Sequence, residues 1–300
     1  MEQRARCNNA PRGRQFLTEQ PRSRQSAPPR QLVAKVGSDD DTMMQTLVSL
    51  CFWTSTVSII IVGSILLIPV FLATVLFDPR RYISGRFWRN MAVVCVAANP
   101  YWNFSVAQPV PAYRPRKAVV VSNHESNGDA FLLSHLPWEM KWLSKASLHR
   151  IPFFGWCMWM AGDIPLSRGQ RNSTAVAMAF AAEWLKKGMS VMVFPEGTRS
   201  PNGTMLPFKD GAFRLAIEHG ADVLPIAIGG TREAVPKGSW KVGRTRALVK
   251  VGAPISTQGM TLDDVESLKA EARARIQALR EEIAVMRGVS LLDPTEPPAA

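Results

Sequence analysis

Lys117-Ala118-Val119-Val120-Val121-Ser122-Asn123-His124-Glu125-Ser126-Asn127-Gly128-Asp129 runs from a β-branched stretch into a polar turn, and residues 130–136 beyond it read as an apolar helix. Val119 to Val121 suit a strand buried on both faces. In an open α/β sheet, ligands collect just beyond the carboxyl end of such a strand. His124 and Asp129 are five residues apart across the start of the helix, so their side chains can face each other. A carboxylate there can hold one imidazole nitrogen and leave the other free to take a proton. That is the base half of a catalytic triad without its serine. Two readings compete with it: Glu125 is the other nearby carboxylate, and Asp129 could serve only as a helix cap.

Outward toward the C-terminus, short apolar runs alternate with helical patterns. Residues 141–144, 190–194, 223–228 and 246–251 read as strands, and residues 173–187, 211–219 and 262–286 as helices. The middle two helices end at Gly188 and Gly220, as C-terminal stops should. Strands alternating with helices predict an α/β layer fold around a largely parallel sheet. Phe194-Pro195-Glu196-Gly197-Thr198-Arg199-Ser200 directly follows the strand at 190–194. Its glycine lets backbone approach a ligand, its hydroxyls donate, and Arg199 can grip a phosphate with two N–H groups; a surface turn is the plain alternative. Between Lys145 and Arg168 lies an aromatic stretch with Phe153, Phe154, Trp156 and Trp159. It reads either as a core helix or as an apolar groove with cations at its rim, suited to an amphiphile with a charged head.

Toward the N-terminus the composition changes sharply. Residues 1–41 are rich in Arg, Gln, Ser and Pro and have too few apolar groups to offset the entropy of ordering, so they are expected to be a disordered basic tail. Residues 42–77 contain no charge at all. A stretch this long and apolar predicts a membrane anchor. As one helix it would run about 54 Å at about 1.5 Å per residue, against a hydrocarbon core about 30 Å thick. A break near Gly63-Ser64 or Pro69 would give two shorter helices. Arg22, Arg24, Arg30 and Lys35 on one side and Arg80, Arg81, Arg86 and Arg89 on the other favour such a hairpin, entering and leaving on the cytoplasmic face. Residues 86–107 read as an amphipathic or interfacial helix. Residues 78–290 are expected to form the catalytic domain, followed by a flexible tail at 291–300.

The net charge of +12 points to a polyanionic partner. Nucleic acid is not that partner: no nucleic-acid module, phosphate-binding P-loop or dinucleotide fingerprint is present. The four histidines have no metal-ligand spacing, and the four cysteines form no CxxC pair and suggest no disulfide scaffold.

Taken together, these motifs resemble the lysophosphatidic acid acyltransferase family, the glycerolipid acyltransferases with an NHx4D motif. His124 and Asp129 match that motif, with Asn123 and Ser126 at its common flanking positions. Residues 145–155 with Arg168 resemble the second block, and Phe194 to Ser200 the third, FPEGTRS. Phe208-Lys209-Asp210-Gly211 resembles the FKxG that follows, and Leu224-Pro225-Ile226 the fourth, with Leu where Val is usual. The resemblance implies a mixed, largely parallel sheet flanked by helices and a membrane-bound enzyme that acylates the sn-2 hydroxyl of lysophosphatidic acid. It implies His124 as base and Asp129 as its orienter. Arg199, Gly197 and Thr198 would bind the acceptor phosphate with Lys145, Arg168 and Lys209, while Glu196 holds the loop or the glycerol. Acyl-CoA or acyl carrier protein would be co-substrate, with no bound cofactor or metal, and the membrane is expected to be anionic. Other acceptors on the same fold are glycerol 3-phosphate, a lysophospholipid or a lyso-aminolipid. A hydrolase using Ser126 and a catalytically dead membrane scaffold are the remaining alternatives.

Overall fold

In a computed structural model the described residues are 39–109, 115–167, 169 and 171–289. The tail up to residue 38, Arg168 and residues 290–300 lie outside them. Among the described residues seven strands form one sheet: β1 (Trp102–Val106), β2 (Ala118–Ser122), β3 (Lys141–Lys145), β4 (Ile164–Leu166), β5 (Val191–Val193), β6 (Asp222–Gly229) and β7 (Thr245–Val251). Their spatial order is β1-β7-β6-β2-β5-β3-β4. Every pairing is parallel except that of β6 with β7, so the expected mixed, largely parallel sheet is present. The helices are α1 (Asp39–Thr74), α2 (Tyr82–Ala97), α3 (Asp129–Leu133), α4 (Phe154–Ala161), α5 (Arg171–Lys186), α6 (Gly211–Glu218), α7 (Thr231–Ala234) and α8 (Val265–Arg287).

Alternation along the strands feeds two apolar layers. Val119, Val121, Val223 and Ala227 face α5, α6 and α8, packing on Ala181, Leu185, Phe213, Leu268, Ile276 and Ile283. Val120, Leu224, Ile226 and Ile228 point the other way, onto a layer that includes Phe52, Cys95, Leu132 and Leu133 from α1, α2 and α3. The spatial order places β2 between β5 and β6, so the later strands are reached on opposite sides of it. That reversal opens a crevice at the carboxyl end of β2, where a doubly wound sheet binds its ligand.

The N-terminal stretch differs from the favoured hairpin. One helix, α1, continues through Gly63, Ser64 and Pro69. Packing overrides the breakers: Ser49, Phe52, Thr56, Ser64, Leu67, Phe71 and Thr74 form a buried stripe on one face, stepping by three or four residues except across the half-buried Ile60. The Ser64 hydroxyl lies 2.7 Å from its own Ile60 carbonyl and 3.1 Å from the Phe153 carbonyl. The opposite face, including Leu47, Leu50, Ile65 and Leu72, is exposed. Among the described residues, α1 alone is long and apolar enough to cross a membrane. Residues 86–107 also divide: α2 stops at Ala97 and the chain enters β1, whose Trp102 and Phe104 are buried around an exposed Asn103.

Beneath α2 lies a buried ionic cluster. Arg89 pairs with Asp163, its Nε lies 3.7 Å from Glu139 Oε2, and Lys141 Nζ lies 3.3 Å from Glu139 Oε1. Lys141 also donates to the carbonyls of Ala161, at 2.7 Å, and Arg81, at 3.0 Å. A strand lysine wholly out of water therefore ties the turn before α2 and the end of α4 to β3, while Arg89 ties α2 to the same cluster.

Candidate active site

His124 is the second residue beyond β2. Its Nδ1 lies 2.7 Å from Asp129 Oδ2. A carboxylate only accepts, so Nδ1 donates and the neutral ring keeps Nε2 as its free acceptor. Phe194 stacks on the imidazole with ring centroids 4.0 Å apart. The same Asp129 oxygen accepts from the backbone N–H of Glu125 at 2.8 Å and of Ser126 at 3.2 Å. Thr231 Oγ1 donates to Oδ1. Asp129, the first residue of α3, thus binds the imidazole and the turn that leads into the helix; its described hydrogen bonds reach no N–H of the helix itself, so the geometry follows the pairing with His124 and not the cap reading.

The neighbouring motif residues are structural. Asn123 Nδ2 donates to the Ile228 carbonyl and its Oδ1 accepts from Ile228 N–H, both at 2.9 Å, prolonging the β2–β6 ladder by a side chain. The Ser126 hydroxyl donates to the Val235 carbonyl at 3.1 Å and accepts from Gly128 N–H at 3.0 Å. Buried and occupied in this way, it is not poised as a nucleophile, which removes the support for the hydrolase alternative.

The loop after β5 is stitched to the base. Glu196 Oε1 accepts from His124 N–H and Oε2 from Leu206 N–H, each at 2.8 Å, while Ser200 N–H donates to the His124 carbonyl at 2.9 Å. Burial pushes the Glu196 carboxyl up. Of the two roles expected for Glu196, the geometry supports holding the loop. Gly197 has φ 70°, and a Cβ there would lie 2.8 Å from Lys209 Nζ. Glycine therefore both makes the turn and admits the ammonium. Arg199 is half-buried, and Thr198 and Lys209 are exposed. Lys145 is exposed at the carboxyl end of β3, which, like β2, runs parallel to β5, so it emerges at the same end of the sheet as His124. Among the described residues, Arg199, Lys145 and Lys209 have no ion-pair partner.

Several further side chains surround the site, two of them, Arg273 and Arg280, from outside the sequence motifs. Arg280 and Arg273 of α8 donate to the carbonyls of Gly203 and of Met205 and Leu206, bracing the loop from behind. Glu125, 3.8 Å from Arg280, has its carboxyl pushed up to about 8 by burial first and by the Asp129 charge second. Nothing local in the sequence marks Arg273 or Arg280, because their partners lie far along the chain; Glu125 is visible as the second carboxylate beside His124, but its partner Arg280 is not. In the second block, Ser144 Oγ lies 2.8 Å from His149 Nε2. Trp156 and Trp159 of α4 are exposed while Cys157, Met158 and Met160 are buried, so the aromatic stretch contributes both to the core and to an open apolar surface.

At the carboxyl end of β2 a histidine is paired with an aspartate, and the loop bonded to its backbone carries an arginine, Arg199, with no ion-pair partner among the described residues. A family description for Acyltransferase matches residues 103–229. The 1-acyl-sn-glycerol-3-phosphate acyltransferase of Haemophilus influenzae is 32% identical over 194 residues, covering 62% of this chain and 80% of that protein. The chloroplastic 1-acyl-sn-glycerol-3-phosphate acyltransferase LPAT1 of Arabidopsis thaliana is 36% identical over 170 residues, 55% of this chain. Among solved structures, the 1-acyl-sn-glycerophosphate acyltransferase PlsC of Thermotoga maritima matches with a TM-score of 0.66 and 28% identity, over 81% of this chain and 97% of that one. The chain belongs to the 1-acyl-sn-glycerol-3-phosphate acyltransferase family. The matched region spans 46% of the Arabidopsis relative and 55% of one from Chlamydomonas reinhardtii, about half the length of each.

Proposed function

We propose that the protein moves a fatty acyl group from a thioester, acyl-CoA or acyl carrier protein, to the sn-2 hydroxyl of lysophosphatidic acid, giving phosphatidic acid. The observation that carries this reading is the 2.7 Å contact between His124 and Asp129, which leaves Nε2 free to act as base. Nε2 takes the hydroxyl proton as the oxygen attacks the thioester carbonyl, and Asp129 stabilises the imidazolium. The tetrahedral intermediate collapses, expelling the thiolate, and the imidazolium returns the proton to sulfur. Direct transfer requires no acyl-enzyme and no resident cofactor or metal. Arg199 grips the acceptor phosphate, with Gly197 and Thr198 beside it and Lys145, Arg168 and Lys209 adding charge; Glu196 keeps their loop in register with His124. The exposed face of α1 anchors the chain in an anionic membrane, with the catalytic body on the cytoplasmic side. Basic residues near the surface contribute about 1 kcal/mol each to that attachment.

The test is acyl transfer by the purified full chain in detergent, with both donors and a panel of acceptors. Lysophosphatidic acid is expected to react fastest, and His124→Ala to abolish transfer in a folded protein. Preference for glycerol 3-phosphate, a lysophospholipid or a lyso-aminolipid would reassign the acceptor. Normal turnover by the alanine variant would overturn the mechanism.

A further inference from the structure

Asp129 is held from several sides, and one of its holders lies outside every motif. Thr231 opens α7, 102 residues along the chain from Asp129, and is fully buried. Its hydroxyl donates to Asp129 Oδ1 and lies 3.5 Å from Glu125 Oε2. A hydroxyl has one hydrogen to give and two lone pairs with which to accept. Once that hydrogen goes to Asp129, the contact with Glu125 can be a hydrogen bond only in the other direction, from a protonated carboxyl. The surroundings favour that form. Glu125 faces Asp129 of α3, Glu233 of α7, and Arg280 and Arg287 of α8; burial and Asp129 outweigh the two arginines and push its carboxyl up to about 8. Arg280 is also engaged with the Gly203 carbonyl, and Arg287 with Glu233 and the Arg246 carbonyl.

We infer that Thr231 is a positioning residue for the base: its hydroxyl accepts from the Glu125 carboxylic acid and donates to Asp129, so that an ordered chain Glu125–Thr231–Asp129–His124 fixes the imidazole with Nε2 free. The chain moves no net proton. It removes the freedom of Asp129 to rotate away from Nδ1, which the two backbone donors on Oδ2 restrict from one side only. The activity readout rests on the acyl-transfer reading; the spectroscopic readout does not.

The experiment compares Thr231→Val, which keeps the shape without the hydroxyl, with Thr231→Ser, which restores the hydroxyl, in the full chain in detergent. In Thr231→Val, kcat is expected to fall about tenfold or more, with both KM values within about twofold of wild type. Thr231→Ser should recover most of kcat. Without substrates, proton NMR should show a downfield resonance for the hydrogen between His124 and Asp129 in wild type and Thr231→Ser, shifted or lost in Thr231→Val. A folded Thr231→Val with normal kcat and an unchanged resonance overturns the proposal, as does failure of Thr231→Ser to restore either readout, or an effect confined to KM. If wild type transfers no acyl group, the resonance decides alone: its loss in Thr231→Val upholds the positioning role while the functional reading fails, and its persistence overturns the role. Should Thr231→Val not fold, Thr231→Ala takes its place in the same comparison.

Discussion

At Glu125, burial and a neighbouring negative charge act in the same direction. The carboxyl is raised from 4.5 to about 8. Between those values the folded chain holds a proton that the unfolded chain has released, so stability falls as pH rises through that window and levels off above it. Glu125→Gln imitates the neutral carboxyl and should flatten this slope, raise the thermal midpoint at pH 9 and preserve turnover at pH 7. Parallel midpoint–pH curves for the two proteins would show that Glu125 is ionised in the fold. Asp129→Asn should have the opposite effect on function, because the amide keeps the shape but loses the charge proposed to stabilise the imidazolium. A loss of about 10²-fold or more in kcat is expected, judged against the typical worth of general-base catalysis. If Asp129→Asn is active and Glu125→Gln is dead, the carboxylates have been assigned the wrong way round. Arg199→Ala should reduce kcat/KM for a phosphate-bearing acceptor about tenfold or more, since a charge-assisted contact is worth about 1.5–3 kcal/mol. A raised donor KM with an unchanged acceptor KM would move Arg199 to the thioester. The pair at the base was legible in the sequence because its members are five residues apart and their geometry follows from one strand-to-helix turn. The role of Glu196 was open until its two oxygens were seen on two backbone amides, one of them belonging to His124. Thr231 and Arg280 left no trace in the sequence, because a hydrogen bond spanning a hundred residues has no local pattern.

Elements with strong periodicity were readable, and those decided by tertiary contact were not. The helix at α5 and the strands at β2, β6 and β7 follow from apolar spacing and stop signals. Period-two alternation at Trp102, Asn103 and Phe104 would have marked β1, but the apolar run before it drew the helix too far. At β4, Ile164-Pro165-Leu166 is too short, and its proline too unlike a strand residue, to be recognised alone; that strand is defined by pairing with β3. Helix α1 goes against local propensity for the same kind of reason, since its buried stripe outweighs Pro69 and the Gly63-Ser64 step. Helix α2 comes closest to the segment leading into β3 at Gly85, where an added Cβ would lie 2.2 Å from Glu139 Oε1. That oxygen cannot swing away freely, because Lys141 holds it. Gly85→Ala is therefore expected to overpack this contact and cost about 1–3 kcal/mol, read as a lowered thermal midpoint. An unchanged midpoint would mean that the ionic cluster yields without loss.

At the scale of the whole molecule, the segment chosen for its apolar character is also part of the core. Phe52 is 2% exposed and lies between Trp102, at 4.5 Å between ring centroids, and Phe131, at 6.1 Å. Farther along, Val242 N–H donates to Ser49 Oγ and Trp53 Nε1 donates to the Trp240 carbonyl. Phe52→Ala is expected to cost about 3–5 kcal/mol, as for a large side chain removed from a packed interior. A thermal midpoint equal to wild type would reduce α1 to a passive leader. Alkaline carbonate should fail to release the protein from membranes, and release of soluble protein would sink the anchoring proposal. The docked stripe has a mechanical consequence. A flexible tether would let the enzyme bob at varying heights above the lipid and meet its acceptor by its own excursions. A helix welded along the body acts instead as a keel. With α1 anchored as proposed, it would fix the draught at which the protein floats, so that the distance between the imidazole and the bilayer would be set once, during folding, and any vertical travel needed for reaction would fall to the lipid.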